Sequence, residues 1–133
     1  MKAQVSIEYL IIVSVAIMIL LPLIIYVNEM IRNYNEETKI SLAKNAVKKL
    51  GESADWVYSQ GEPAKMETEV YFPEGIAQTS LENNTILLRM KVLSGTSDVY
   101  YSTISPLNGS IPSIPGYYTI SLVSYQNYVN ISW

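Results

Sequence analysis

The stretch that decides the fold of this chain is its first 28 residues, MKAQVSIEYLIIVSVAIMILLPLIIYVN. Nineteen uncharged residues run from Tyr9 to Val27. At about 1.5 Å per helical residue they span roughly 28 Å, close to the hydrocarbon thickness of a bilayer. Residues 4–28 are therefore predicted to form a helix that can cross a membrane or lie in an apolar core.

A single carboxylate, Glu8, stands one residue ahead of this apolar run. A charged side chain at the end of a membrane-length segment is costly to place in lipid, so Glu8 is a candidate functional residue. Only Lys2 and the α-amine carry positive charge before the run, which favours a cytoplasmic amino end and an exported remainder. A plain signal anchor that happens to contain a glutamate is the simpler alternative.

The residues around Glu8 resemble the processing site of archaeal type IV-pilin-like precursors with a class III signal peptide. That family's pattern is Gln-x-Ser-x-Glu-x-x-x-Leu, with the cut just before the Gln. Gln4, Ser6 and Glu8 match it, Ala3 is a small residue before the cut, and Ile12 stands where the pattern has Leu. The resemblance covers about the first thirty residues and none beyond them.

The resemblance implies a leader of residues 1–3, removed by a prepilin peptidase, and a mature chain in which Glu8 is the fifth residue. It also implies a structural subunit that waits in the membrane and is then built by pilus assembly machinery into a homo-oligomeric extracellular filament. Adhesion is the expected role. In the apolar filament core, pairing of Glu8 with the new α-amine of Gln4 would set the register of the subunits, because an unpaired buried charge costs several kcal/mol.

Two alternatives remain open at this stage. The chain could be a minor or priming subunit of a filament built from another protein. It could instead be a membrane-anchored extracytoplasmic binding protein that forms no filament and has a ligand cleft among its tyrosines.

The helical pattern continues beyond the apolar run as an amphipathic segment, residues 29–60. Its apolar positions recur at steps of three and four residues, which is typical of a helix with one buried face: Ile31, Tyr34, Thr38, Leu42, Ala43, Ala46, Val47, Leu50, Ala54 and Val57. Gly61 and Pro63 predict its end. Pro22 predicts a kink or a melted turn, because proline removes a backbone donor and clashes with the preceding turn.

From residue 64 to residue 133 the periodicity changes to two, the pattern of strands with one buried face. Strands are predicted at 65–72, 86–92, 99–104, 117–125 and 128–133, and the proline-rich segment 105–116 is predicted to be a loop. We therefore expect an α+β protein, in which a long N-terminal helix precedes a small antiparallel β-sheet or β-sandwich domain packed on the helix's outer half.

Composition excludes several functions. The chain has no histidine and no cysteine, which removes the Ser-His-Asp triad, thiol chemistry, disulfides and the commonest metal ligands. A net charge of −3 without a basic patch argues against nucleic-acid binding. Glu36, Glu37, Glu67 and Glu69 are better interpreted as a solvated face than as a paired-carboxylate site. No enzyme activity and no cofactor or metal are expected.

The last quarter of the chain, from Val99 to Trp133, is uncharged. This favours a surface covered by sugars or by neighbouring subunits over a merely buried one. Three Asn-x-Ser/Thr acceptors support sugars: Asn83, Asn108 and Asn130. Asn83 is predicted between strands, Asn108-Gly109 on a turn, and Asn130 in a strand that points Tyr128 and Ser132 outward and Val129, Ile131 and Trp133 inward. The adjacent tyrosines 100–101 and 117–118 are expected to serve packing, since strand neighbours face opposite sides.

Overall fold

A computed structural model describes residues 1–133 and confirms the α+β class, with one long apolar N-terminal helix before a small sheet domain. Its elements are α1 (Lys2–Gln60), β1 (Lys65–Phe72), β2 (Ile76–Glu82), β3 (Thr85–Val92), β4 (Gly95–Ser102), β5 (Leu107–Gly109), β6 (Gly116–Ser124) and β7 (Val129–Ser132). The chain divides into two compact units, residues 1–35 and residues 36–133.

The first unit is helical from Lys2 onward, and every one of its residues is exposed within the chain. The helix is continuous through Pro22, so the melted turn predicted there is absent, and the kink stays a prediction. The apolar run of this unit is long and apolar enough to cross a membrane.

The second unit begins with the rest of α1, which has one buried face. Its buried positions follow the helical period: Ala43, Ala46, Val47, Leu50, Gly51, Ser53, Ala54 and Val57. Ile31 and Tyr34, at the head of the predicted stripe, are 52% and 69% exposed, so burial of the stripe starts only near Ile40. The charged residues Lys44 and Lys48 lie off the buried face, as the spacing predicted.

The strands form two sheets, one in the order β1-β6-β7-β5 and one in the order β2-β3-β4. All pairs are antiparallel except β5 with β7, which is parallel. The inner faces of both sheets share one hydrophobic core with the buried face of α1. The alternation predicted for β1 and β3 is confirmed, since Val70 and Phe72, and Ile86, Leu88 and Met90, are buried.

Three details of the strand prediction are wrong. No strand was predicted at β2 (Ile76–Glu82), which pairs with β3. The segment 105–116 is not wholly a loop, because it contains β5, a three-residue strand whose pairing depends on the distant β7. Trp133 is not turned into the core: it lies beyond the end of β7 and is 57% exposed, with its ring edge-to-face against Tyr118 at 5.4 Å between centroids. Val129 and Ile131 are buried as predicted.

Polar contacts attach the carboxyl-terminal half of α1 to both sheets. The Lys49 ammonium donates to the backbone carbonyl of Glu69 on β1. The Asp55 carboxylate accepts from the backbone amide of Ile104, just after β4, at 2.8 Å. β1 is an edge strand of one sheet and β4 is an edge strand of the other. This part of the helix is therefore bonded to both sheets and belongs to the folded domain.

Candidate processing and assembly site

The predicted cleavage point lies in the first turn of α1. The first backbone hydrogen bond of the helix runs from the Val5 amide to the Met1 carbonyl, at 3.3 Å. The Gln4 amide precedes that bond, so it belongs to the first turn, whose donors have no carbonyl four residues back. Ala3 and Gln4 are both exposed. A peptidase could therefore extend the Ala3–Gln4 bond by opening this first turn alone.

The residues of the motif occupy two sides of the helix. Gln4, Glu8 and Ile12 are spaced by four residues and share one side, whereas Ser6, two residues from Glu8, lies on the opposite side. Side chains of a helix lean toward its amino end, so the Glu8 carboxylate is directed back toward the turn that contains Gln4.

A cut before Gln4 would change the electrostatics around Glu8. The amino end of a helix carries about half a positive charge, an effect that fades beyond the first turn. In the uncut chain Glu8 lies beyond the first turn of α1, which begins at Lys2. With Gln4 as the first residue, Glu8 moves to within one turn of both the helix end and a full positive α-amine. This arrangement suits a carboxylate that must enter an apolar environment.

Within the apolar run, the one serine hydroxyl is already satisfied by the helix itself. The Ser14 hydroxyl donates to the Leu10 carbonyl at 2.7 Å. Sequence reasoning did not single out Ser14, although a serine four residues after a helical carbonyl is the signal that could have found this bond. Ser14 therefore adds no unpaired donor to the middle of the run, and the phenol hydroxyls of Tyr9 and Tyr26 lie at its two ends.

Pro22 is the one residue of the run that interrupts the backbone hydrogen bonding of the helix. It has no backbone N–H, so the Met18 carbonyl loses the partner that it would otherwise have four residues later. The freed carbonyl is a point where the helix can bend.

The three glycosylation acceptors lie in different backbone settings. Asn83 sits in the two-residue turn between β2 and β3 with a positive φ of 49°, so the prediction that it falls between strands is confirmed. Asn108 was predicted on a turn and instead lies in β5. That prediction was wrong because Asn-Gly is a turn dipeptide locally, whereas here the pair is held by β7. Asn130 lies in β7, as predicted.

The charged groups of the sheet domain are mostly paired at its surface. Arg89 makes a two-point contact with Asp98 across β3 and β4, at 2.7 and 2.9 Å. The guanidinium lowers the pKa of the Asp98 carboxyl. Among the carboxylates considered as a paired site, Glu67 contacts Lys65 at 3.0 Å and Glu36 accepts from the Leu93 amide. This supports the solvated-face interpretation.

A shallow cleft of about 250 Å³ opens between α1, the carboxyl end of β1 and the amino end of β6. Leu42, Asn45 and Lys49 line it from the helix, and Tyr71 and Tyr117 from the strands, with their ring centroids 4.8 Å apart. The Lys49 ammonium is already engaged by the Glu69 carbonyl. The tyrosine pairs divide between faces as expected: Tyr100 and Tyr117 are exposed, whereas Tyr101 and Tyr118 pack against the core.

No protein-family model matches this chain, and neither curated proteins nor solved structures show a significant similarity to it. A long apolar N-terminal helix followed by a β domain is compatible with a pilin-like fold, and the apolar helix indicates membrane association.

Proposed function

We propose that this chain is a structural subunit of an extracellular type IV pilus-like filament, cut before Gln4 and assembled through its apolar helix. The observation that carries the proposal is the contrast within α1. Residues 1–35 bury nothing within the chain, whereas the same helix from Ala43 to Val57 is built into the sheet domain. The exposed half is thus left for an apolar partner outside the chain.

That partner must be lipid or another apolar helix. Burying one large aliphatic side chain contributes about 1.5–3 kcal/mol, so a run of such residues does not remain in water. Lipid tails and neighbouring apolar helices are similar environments for these side chains. Moving the helix from the membrane into a helical filament core therefore changes the free energy of its apolar side chains little. Polar contacts then determine whether the helix assembles.

Glu8 is the charged group placed to make such contacts. It lies next to the apolar run, and no residue from Tyr9 to Val27 is charged. In the membrane, Glu8 lies at the edge of the run, where water and headgroups solvate it. In a filament core, it requires a cation, and the α-amine of Gln4 on the same or a neighbouring subunit is the group that cleavage would supply. Pairing would favour the one axial register that brings the two charges together.

The sheet domain would form the outer wall of the filament, with adhesion as its expected role. Its core is complete without the first unit, since every buried residue of α1 is at position 43 or later. The first unit would supply the apolar contacts of the filament core, and the second unit a domain that is folded by itself.

A membrane-anchored binding protein is the second candidate, favoured by the cleft that Tyr71 and Tyr117 line. Its volume of about 250 Å³ is below the range of about 300–1,000 Å³ that is usual for small-molecule sites, and its only cation, the Lys49 ammonium, already donates to the Glu69 carbonyl. This function would use the same apolar helix as a permanent anchor.

The decisive experiment is to shear surface material from the native host and examine it by negative-stain microscopy and mass spectrometry. The proposal expects filaments composed mainly of this chain, with Gln4 as the first residue. Filaments that contain it only in trace amounts would assign it to a minor or priming role. Chain that stays in the membrane fraction while no filament is present would overturn the proposal in favour of the anchored binding protein.

A further inference from the structure

The three glycosylation acceptors, far apart in sequence, meet at one edge of the sheet domain. The backbone carbonyl of Asn83 accepts a hydrogen bond from the Leu107 amide at 2.5 Å, and Leu107 directly precedes Asn108. Asn108 is in turn the register partner of Asn130 in the parallel pair of β5 and β7. The turn between β2 and β3 and the edge strand β5 therefore bring all three asparagines into one patch.

Asn108 and Asn130 lie side by side on the outer face of their sheet. Leu107, Val129 and Ile131 are buried, so the alternating residues Asn108 and Asn130 face the other way. Neighbouring strands are about 4.8 Å apart. A sugar ring with its hydroxyl groups is wider than that spacing, so sugars on both asparagines would compete for the same space.

The two asparagines differ in access. Asn108 is exposed and belongs to the edge strand, whereas Asn130 is half-buried in β7, which is flanked by β5 and β6. The Asn108 Oδ1 accepts from the Gly109 amide at 2.8 Å, which leaves the Nδ2 group directed away from the backbone. Close packing fixes this strand, since a Cβ on Gly109 would come within 1.9 Å of the Ile131 carbonyl oxygen.

We propose that this patch carries N-linked glycans at Asn83 and Asn108, and that Asn108 and Asn130 are never occupied together on one molecule. In the transfer, the asparagine Nδ2 forms a bond with C1 of a sugar carried by a lipid-linked phosphate donor. The bond between C1 and the phosphate oxygen breaks, the lipid phosphate leaves with the electron pair, and the amide loses one proton. The inference requires only export of the sheet domain and holds for a filament subunit or an anchored protein alike.

The Leu107 and Gly109 amides of β5 are already bonded to Asn83 and Asn108, and the glycans would cover the rest of this sheet edge. An uncovered edge strand can pair with a strand of another molecule, and charged side chains are the usual protection against this. This part of the chain has no charged residue after Asp98, so sugars would supply the protection that charges supply elsewhere.

The test is intact-mass and glycopeptide analysis of the protein purified from its native host. Three variants each remove one acceptor while keeping an uncharged amide side chain: Asn83→Gln, Asn108→Gln and Asn130→Gln. Asn127→Gln is the matched control, because Asn127 is exposed and lies outside any acceptor sequence. Ser110→Ala and Ser132→Ala abolish the same acceptors without touching Asn108 or Asn130, so they separate loss of the acceptor from misfolding.

The parent is expected to carry two glycans, at Asn83 and Asn108. Asn83→Gln, Asn108→Gln and Ser110→Ala should each lower the glycan at the changed site to zero. Asn130→Gln, Ser132→Ala and Asn127→Gln should leave the mass pattern unchanged. Sugar that moves to Asn130 when Asn108 is lost would support the exclusion of one by the other. Any molecule glycosylated at both Asn108 and Asn130, or a parent without glycan at Asn83 and Asn108, would overturn the proposal.

Discussion

Gly51 of α1 lies against the aromatic ring of Tyr101 on β4: a Cβ placed on Gly51 would come within 2.1 Å of the ring's Cδ1 and 2.4 Å of its Cε1. The hydroxyl of the same tyrosine reaches Oδ2 of Asp55, one helical turn further, at 3.4 Å. One aromatic side chain thus joins the helix to the three-stranded sheet. Glycine is a poor helix former, and its presence at position 51 is explained by this close approach.

Gly51→Ala is expected to destabilise the sheet domain despite improving helix propensity. Alanine gains about 1 kcal/mol over glycine in a helix interior. Forcing a methyl group into a packed ring costs about 1–3 kcal/mol, because neighbours must leave their rotamers. Chemical denaturation should show a net loss of about 1 kcal/mol. In a Tyr101→Leu background the same change should cost less or stabilise, and a Gly51→Ala variant more stable than its parent would contradict the contact.

Residues 36–133 are expected to fold alone. They include every buried residue of α1 and the whole two-sheet core. A fragment of residues 61–133 lacks Leu50 and Val57, both fully buried, and loss of each such side chain alone costs about 2–5 kcal/mol. Circular dichroism and amide chemical-shift dispersion should therefore show a cooperative fold for the longer fragment only. Equal folding of the shorter one would mean that α1 is dispensable to the core.

Stability of the same fragment is expected to fall at high pH through Tyr101. Burial raises the pKa of this phenol above its usual value near 10, and the carboxylates of Asp55 and Glu52 raise it further. Below pH 10 both states are neutral and stability is complete. As the pH rises through the unfolded and then the folded pKa, the unfolded state loses its proton first, so the free energy of unfolding decreases. Tyr101→Phe should flatten this decrease between neutral pH and pH 11, whereas Tyr100→Phe, at a residue 68% exposed, should not.

The parts of the fold that sequence predicts well are those set by local pattern. The alternation in β1 and β3 places Val70 and Leu88 in the core because side chains alternate along any strand with one buried face. The buried face of the carboxyl half of α1 is equally predictable, since its apolar residues recur every three to four positions. Both patterns are complete within a single element.

The parts that sequence predicts poorly depend on distant partners. β5 contains Asn108-Gly109, a turn signal, and becomes a strand only because β7 pairs with it. The convergence of Asn83, Asn108 and Asn130 follows from that pairing and was invisible for the same reason. At the amino end the outcome differs: the motif identified Gln4 and Glu8, and the structure adds that the bond before Gln4 lies inside the first helical turn, which the hydrogen bond from the Val5 amide to the Met1 carbonyl closes.

Cleavage between Ala3 and Gln4 is expected in the native host. Gln4→Pro should block it, because the bond to be cut becomes a tertiary amide. Proline is tolerated in the first turn of a helix, so α1 should still form. Mass spectrometry of the amino terminus should find Gln4 first in the parent and Met1 retained in the variant, with the variant confined to the membrane. Assembled filaments whose subunits retain Met1 would show that no cut is needed.

Glu8→Gln is expected to stop assembly while leaving membrane insertion intact. Glutamine keeps the size and much of the hydrogen bonding of glutamate but has no charge, so it enters lipid more easily. In a dry filament core, the Gln4 α-amine would then have no ionic partner, and removing one member of a buried pair costs about 3–5 kcal/mol. Filament yield, measured against membrane-bound subunit at equal expression, should fall sharply for Glu8→Gln and partly for Glu8→Asp, whose charge has a shorter reach.

Glu29→Gln is the matched control, because Glu29 lies just beyond the apolar run on the same exposed helix. This variant should assemble normally. If Glu8→Gln assembled as well as Glu29→Gln, the carboxylate would serve peptidase recognition at most.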